Sequence, residues 1–401
     1  MVEFLRLIAV FVLIILLLRR HLNLGLVMLI GAVALGLVSQ IAPQRLLEVA
    51  WNTATQFNTI NLAITLILIM FLENLMRKTL MMRQMVESLT SLIGDRRVAM
   101  ALLPAFIGFL PSAGGAMFSA PMVGEVTREM PMTPETKSYV NVWYRHIWEY
   151  IFPLYPGLIL AAQVANVPIG SLILAQLPLT ITAIIVGTPL AYRGLGSLPR
   201  PPANLSRENV TGLAIGVSPV LAVIVAVLVL HLDMSLSLGI VVFALLVYHR
   251  YTPPQLVGLV REAFSFSVVL LVFGVLLFKD ILATSGSVDN MLAFFSNIGV
   301  PPLLLILLFP FAVGVLTGYA QAFVGVAFPI VIGLGGAGPV DLRLLALAYA
   351  AGFAGIMLSP AHLCLVLTIE HFKASIGQVM KMLVVPEATI VLVAIGLYLV
   401  R

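Results

Sequence analysis

Long apolar stretches separated by short polar turns run along the whole chain. A helix crossing a bilayer needs about 20 mostly apolar residues, because each adds about 1.5 Å across a core of about 30 Å. The pattern predicts five such spans in the first half, at residues 2–18, 22–41, 56–76, 138–165 and 170–191. It predicts five more in the second half, at 210–230, 234–249, 264–283, 342–367 and 378–400. Two further apolar segments, near 98–125 and 301–334, are rich in Gly and Pro and long enough for two half-spans each. These are expected to be re-entrant hairpins that enter and leave on one side. Irregular backbone at that depth is tolerated only where protein or a water-filled cavity satisfies its polar groups.

The same pattern is written twice. PLYPGLILAAQVANVPIG, from Pro153 to Gly170, is answered by PAHLCLVLTIEHFKASIG, from Pro360 to Gly377, with 17 residues from proline to glycine in both. HLN at His21 is answered by HLD at His231, and PQRLLE at Pro43 by PQLVGL at Pro254. GFLPSAGGAMFSAP at Gly108 is answered by GVLTGYAQAFVGVAFP at Gly314, so the offsets all lie between 206 and 211 residues. Duplication with interrupted apolar segments at matching places is a sequence pointer to a secondary transporter and its binding site. An odd number of spans per half means that the second half inserts upside down relative to the first. The fold class expected is therefore an all-α polytopic membrane protein with about ten transmembrane helices and two re-entrant hairpins. Its two inverted-topology repeats would cover 1–192 and 210–401, joined by a cytoplasmic linker at 193–209.

Composition closes off other classes. Of 401 residues, 61% are hydrophobic and only 10% charged, with a mean hydropathy of +1.11; a soluble domain carries about 25% charged residues. Cys364 is the only cysteine, so no intramolecular disulfide and no Cys-based zinc or iron–sulfur centre fits. The net charge of +5 is scattered over loops, which reads as an orientation signal rather than a nucleic-acid surface. With the N-terminus outside, 16 of the 22 Lys and Arg fall on the cytoplasmic side and five outside, leaving Arg145 within a span. That split favours this orientation, with both termini outside. The first segment lacks the basic leader and cleavage site of a signal peptide, so it is expected to be a permanent span.

Three places set polar groups where lipid would forbid them. Span 138–165 contains Tyr144, Arg145, His146 and Glu149, then Pro153 and Pro156. Proline breaks the helical hydrogen-bond ladder, and a break frees carbonyls and helix ends for ions or anionic groups. Arg145 and Glu149 stand four residues apart, the spacing of a silent internal ion pair on a helix. In the functional reading, Glu149 or His146 handles a proton or cation while Arg145 attracts an anion. Span 342–367 is broken in turn at Ser359 and Pro360, with His362 following. The hairpin tips carry Ser112, Gly114 and Gly115 in one half and Thr317, Tyr319 and Gln321 in the other. Small residues there would let backbone approach a ligand closely, or merely permit tight helix packing. No HExxH, Walker loop or G-x-S-x-G elbow is present, so neither an ATP-driven pump nor a familiar hydrolase is expected.

On this architecture, LPSAGGAMFSAP at Leu110 and LSPAHLCL at Leu358 resemble an uncharacterised prokaryotic family, the domain-of-unknown-function family 401. More distantly the chain resembles the ion-transporter superfamily of gluconate, citrate and dicarboxylate permeases and some sodium–proton antiporters. The resemblance implies a homodimer in the cytoplasmic membrane of a prokaryote, with a scaffold region, a mobile transport region and elevator-like motion coupled to Na⁺ or H⁺. By position it puts hairpin-tip ligands on Ser112, Gly114, Gly115, Thr317 and Gln321, and broken-helix ligands around Glu149, Pro153, Ser359 and Pro360. A Na⁺ site would fall near Ser112 and Ser359; no other metal or cofactor is expected. Neither tip carries the Ser-Asn-Thr signature of the dicarboxylate branch. The function expected is secondary transport of a small, anionic organic solute. Cation–proton antiport is the alternative, and a channel or membrane-embedded enzyme is more remote.

Overall fold

The computed structural model describes residues 2–20, 22–109, 115–195, 205–287, 299–335 and 338–400. Among them are nineteen helices and no strand. In the first half these are α1 (Val2–Arg19), α2 (Leu24–Val38), α3 (Pro43–Thr55), α4 (Phe57–Lys78) and α5 (Met81–Leu92). Then come α6 (Arg96–Gly108), α7 (Ala116–Val126), α8 (Pro134–His146), α9 (Pro156–Ala165) and α10 (Ile169–Ala191). The second half holds α11 (Arg207–Leu228), α12 (Met234–Tyr248), α13 (Pro253–Ala263) and α14 (Phe266–Ser285). It continues with α15 (Pro302–Thr317), α16 (Ala320–Leu334), α17 (Leu342–Met357), α18 (Leu363–Phe372) and α19 (Ile376–Leu399). The fold is all-α and polytopic, and among the described residues five helices (α4, α10, α11, α14 and α19) are each long and apolar enough to cross a membrane alone.

Local chemistry sets the ends of these helices, and it recurs between the halves. Asn23 caps α2 by accepting from the Gly25 and Leu26 amides; Asp233 caps α12 by accepting from Ser235 and Leu236. Both are side-chain caps for otherwise orphaned amides. Just past the same two helices, Gln40 (φ 57°) and Arg250 (φ 52°) turn left-handed, which few non-glycine residues do. Asn166 (φ 53°) and Lys373 (φ 55°) do the same after α9 and α18. The caps make α2 and α12 only 15 residues each, or about 22 Å. That is shorter than the stretches 22–41 and 234–249 that hydropathy suggested.

Packing recurs as well. α2 lies on α14 as α12 lies on α4, and α3 rests on α14 as α13 rests on α4. α6 packs on α8 as α15 packs on α17, and α7 meets α18 as α16 meets α9. Exchanging the halves converts each of these contacts into another. Helices α6–α10 and α15–α19 form one interlocked set. They meet the remaining helices along a few seams, such as α5 with α6, α4 with α9 and α14 with α16.

Three amphipathic helices, α3, α5 and α13, lie where hydropathy predicted nothing. Each has a polar face that disqualifies it as a span, yet an apolar stripe at helical spacing. α3 buries Val49 and Thr53 while Leu47 and Trp51 stay 72% and 71% exposed.

Candidate functional site

The two expected breaks are present. α8 stops at His146, and the chain runs irregularly through Pro153 until Pro156 opens α9. Pro156 is tolerated at a first helical position, where its missing N–H has no intrahelical partner to lose. In the other half the irregular stretch lies between Met357 and Leu363 and includes Ser359 and Pro360. Both loose ends are tied down. Thr180 Oγ1 donates to the Ile147 carbonyl at 3.1 Å, just past the end of α8. Ser359 Oγ donates to the Val315 carbonyl at 2.6 Å and accepts from the Ala361 amide at 3.1 Å. Val315 belongs to the last turn of α15, whose carbonyls have no helical partner of their own, so the serine couples one half's broken helix to its hairpin. A buried bond from Asn141 Nδ2 to Thr368 Oγ1, 2.8 Å, links α8 to α18 across the halves.

Helices α6 and α15 press against the broken helices through glycine. A Cβ added to Gly108 would lie under 3.0 Å from the Arg145 carbonyl oxygen, and one added to Gly314 under 3.0 Å from that of Gly352. Gly318 ends α15 in the left-handed region (φ 72°) against Ala361, so the second hairpin turns within reach of the α17–α18 break.

These elements line a cavity of about 410 Å³. Arg145, His146 and Glu149 enter it from the first break, His362 and Cys364 from the second, and Thr317, Tyr319 and Gln321 from the second hairpin. Arg145 is only 5% exposed. Its Nη1 donates to Cys364 Sγ at 3.0 Å and lies 3.4 Å from His146 Nε2. His146 Nδ1 must carry a proton, because its partner at 2.6 Å is the Val142 carbonyl. The neutral ring therefore turns its lone pair, on Nε2, toward the guanidinium. The His146 and His362 rings pack edge to face at 4.8 Å, and the buried His362 Nδ1 has no partner among the described residues.

Of the residues expected at the site, the cavity thus gathers Arg145, His146, Glu149, Thr317, Tyr319, Gln321 and His362. Ser112 and Gly114 lie outside the described residues, and Gly115 is the N-cap of α7. Tyr144 turns away, its hydroxyl 3.2 Å from Thr188 Oγ1 on α10. Pro153, Ser359 and Pro360 shape the breaks rather than the wall. The internal ion pair between Arg145 and Glu149 is not formed among the described residues, because the helix ends between them and the four-residue spacing no longer stacks their side chains.

Two further polar groups stand out only in the structure. Cys364 is a lone cysteine inside an apolar run, yet its thiol contacts the buried guanidinium. His146, His362 and Cys364 each bring a donor atom within 4.8 Å of the others. Such a nitrogen and sulfur set suits a soft or borderline metal ion, but a cation there would face Arg145 at close range. The second group is Glu387, a buried acid inside α19. A lone carboxylate within a 24-residue apolar helix was itself the signal.

A family model described as a protein of unknown function (DUF401) matches residues 3–400, and the chain belongs to that family. No curated protein matches it in sequence. Its fold is similar to that in the crystal structure of the Alcanivorax borkumensis YdaH transporter, described there as having an unusual topology. The two chains are 15% identical over 88% of this chain and 87% of that one, with a TM-score of 0.63.

Proposed function

We propose that this DUF401 member is a secondary transporter for a small, anionic organic solute, bound in the cavity around Arg145. The observation that carries the reading is the convergence of both broken helices and a hairpin turn on one buried guanidinium. A cavity of about 410 Å³ falls within the range typical of small-molecule sites. A charge buried in a membrane protein is costly and marks function by default. The fold shared with the YdaH transporter supports transport as the activity, without bearing on the solute.

The recurrence of helix order, caps and contacts supports two inverted repeats. The hairpins are re-entrant in this reading, because α6, α7 and α16 are 13, 11 and 15 residues long and too short to cross alone. Elevator-like motion would carry α6–α10 and α15–α19 past the other helices, which touch them only along narrow seams. The scaffold would pair two copies in a cytoplasmic membrane, with both termini outside. Coupling to H⁺ would use Glu149, His146 and His362. Na⁺, if it is the coupling ion, would bind near Ser359 and Ser112.

Purified protein in liposomes, given H⁺ or Na⁺ gradients and a panel of organic anions, should accumulate at least one of them. Failure across the panel in both gradients would sink the proposal. Cation–proton antiport is favoured by one observation, the carboxyl of Glu149 in the same cavity as two imidazoles. Proton efflux on adding Na⁺ or K⁺, abolished by Glu149→Gln, would select it instead.

A further inference from the structure

We infer that Glu387, with Tyr150, forms a second proton-binding site behind the solute cavity, on the far side of His146. Glu387 is 2% exposed, and its Oε2 has no hydrogen-bond partner among the described residues. The Tyr150 hydroxyl, buried in the break after α8, also lacks one. Both line a small void of about 10 Å³, whose wall also includes His146, Trp143, Phe353 and Met357. That volume admits about one water molecule, and a buried water needs two or more polar partners. The orphaned carboxyl and hydroxyl supply them. His146 thus borders both spaces, the solute cavity on one side and this void on the other.

The surroundings decide the form of the acid. α19 packs against α8, α10 and α17. From α8 and the break after it come His146, Tyr150 and Tyr139, the last already donating to the Gly187 carbonyl. α17 presents Phe353 and Met357, and α10 presents Ala183. Among the described residues no Lys or Arg lines the void, so a bare carboxylate would have no counter-charge there and the proton stays on Glu387. The Tyr150 hydroxyl and a water beside it give the Glu387 proton hydrogen-bonding neighbours. The His146 ring borders the void with both nitrogens turned elsewhere, Nε2 toward Arg145 and Nδ1 to the Val142 carbonyl, so it acts on the acid through its charge rather than as the proton's acceptor. The proton site does not rest on the anion-transport reading.

The test is infrared difference spectroscopy on the full chain in lipid nanodiscs, in H₂O and D₂O, across a pH series. The carbonyl stretch of a protonated carboxylic acid should be present at neutral pH, shift on exchange into D₂O, and disappear in Glu387→Gln. Its titration midpoint should move in His146→Gln, and its deuterium exchange should slow in Tyr150→Phe, a variant that keeps the ring and its packing. A band unchanged by Glu387→Gln would overturn the inference. So would a Glu387 band indifferent to both pH and His146→Gln, which would mark a sealed structural acid. If the band behaves as expected while liposomes accumulate no organic anion, the solute reading fails and the proton site stands.

Discussion

Substituting alanine for Gly108 or Gly314 tests how tightly each hairpin clasps the opposing broken helix. At Gly314 the new methyl would sit under 3.0 Å from the Gly352 carbonyl oxygen, with the Ile356 amide nitrogen at 3.1 Å. At Gly108 it would meet the Arg145 carbonyl oxygen, with the carbonyl carbon at 3.2 Å. These neighbours are helix backbone, which cannot swing aside like a side-chain tip, so α15 must lift from α17, or α6 from α8. Overpacking of this kind costs about 1–3 kcal/mol. Gly239 supplies the control, because it lies inside α12 with nothing within 4 Å of an added Cβ. Alanine there should stabilise by about 0.5–1 kcal/mol through the smaller backbone entropy loss. The assay is thermal unfolding of the detergent-purified protein, followed by tryptophan fluorescence. Gly108→Ala and Gly314→Ala should each lower the midpoint by about 2–6 °C, taking about 2 °C per kcal/mol, while Gly239→Ala holds or raises it. If the three variants were equally stable, the close hairpin contacts, and the cavity they frame, would be wrong.

Arg145→Gln should weaken binding of any anion that stabilises the parent by about 10- to 150-fold, matching loss of a hydrogen bond to a charged group worth about 1.5–3 kcal/mol; ligand-induced thermal shifts read this directly. Ser359→Ala strips the Val315 carbonyl of its donor and should destabilise by about 1–3 kcal/mol. Ser359→Thr, which keeps a hydroxyl, should be less harmful by the same melt. Lys78, the larger influence, and Asn74 hydrogen-bond to Glu262 where α4 meets α13, holding its carboxyl below the usual range. A depressed carboxyl adds stability above its unfolded value of about 4.3 and loses it as pH falls through the folded value. Stability measured from pH 6 down to pH 3 should therefore fall less in Glu262→Gln than in the parent.

The repeat was legible because proline and glycine punctuate apolar runs at the same offset in both halves, and those residues act on the backbone whatever surrounds them. The breaks at Pro153 and Pro360 followed from the same logic. Their extent did not. α8 ends seven residues before Pro153, and the carbonyl it frees at Ile147 is taken by Thr180 from a distant helix, a tertiary contact that no local pattern encodes. Glu149 therefore left the helical face on which spacing had set it beside Arg145. Tyr144 was misplaced for a related reason. The helix turns it toward Thr188 on α10 while its neighbour Arg145 faces the cavity. Amphipathic α3, α5 and α13 were readable as an apolar stripe at helical spacing, but a search for membrane spans discards mixed segments. Glu387 was visible as a charge within an apolar run. What made it notable, an empty hydrogen-bonding position beside His146, depends on how α19 meets α8.

The central claim is that an anion binds in the cavity lined by Arg145 and Cys364, and the lone cysteine offers a direct probe. The full chain would be treated with N-ethylmaleimide in the presence of each member of an organic-anion panel, with alkylation of Cys364 followed by intact mass. The account predicts that at least one anion slows the reaction and that this protection disappears in Arg145→Gln. Equal alkylation rates with every anion, or protection that survives the loss of Arg145, would contradict it.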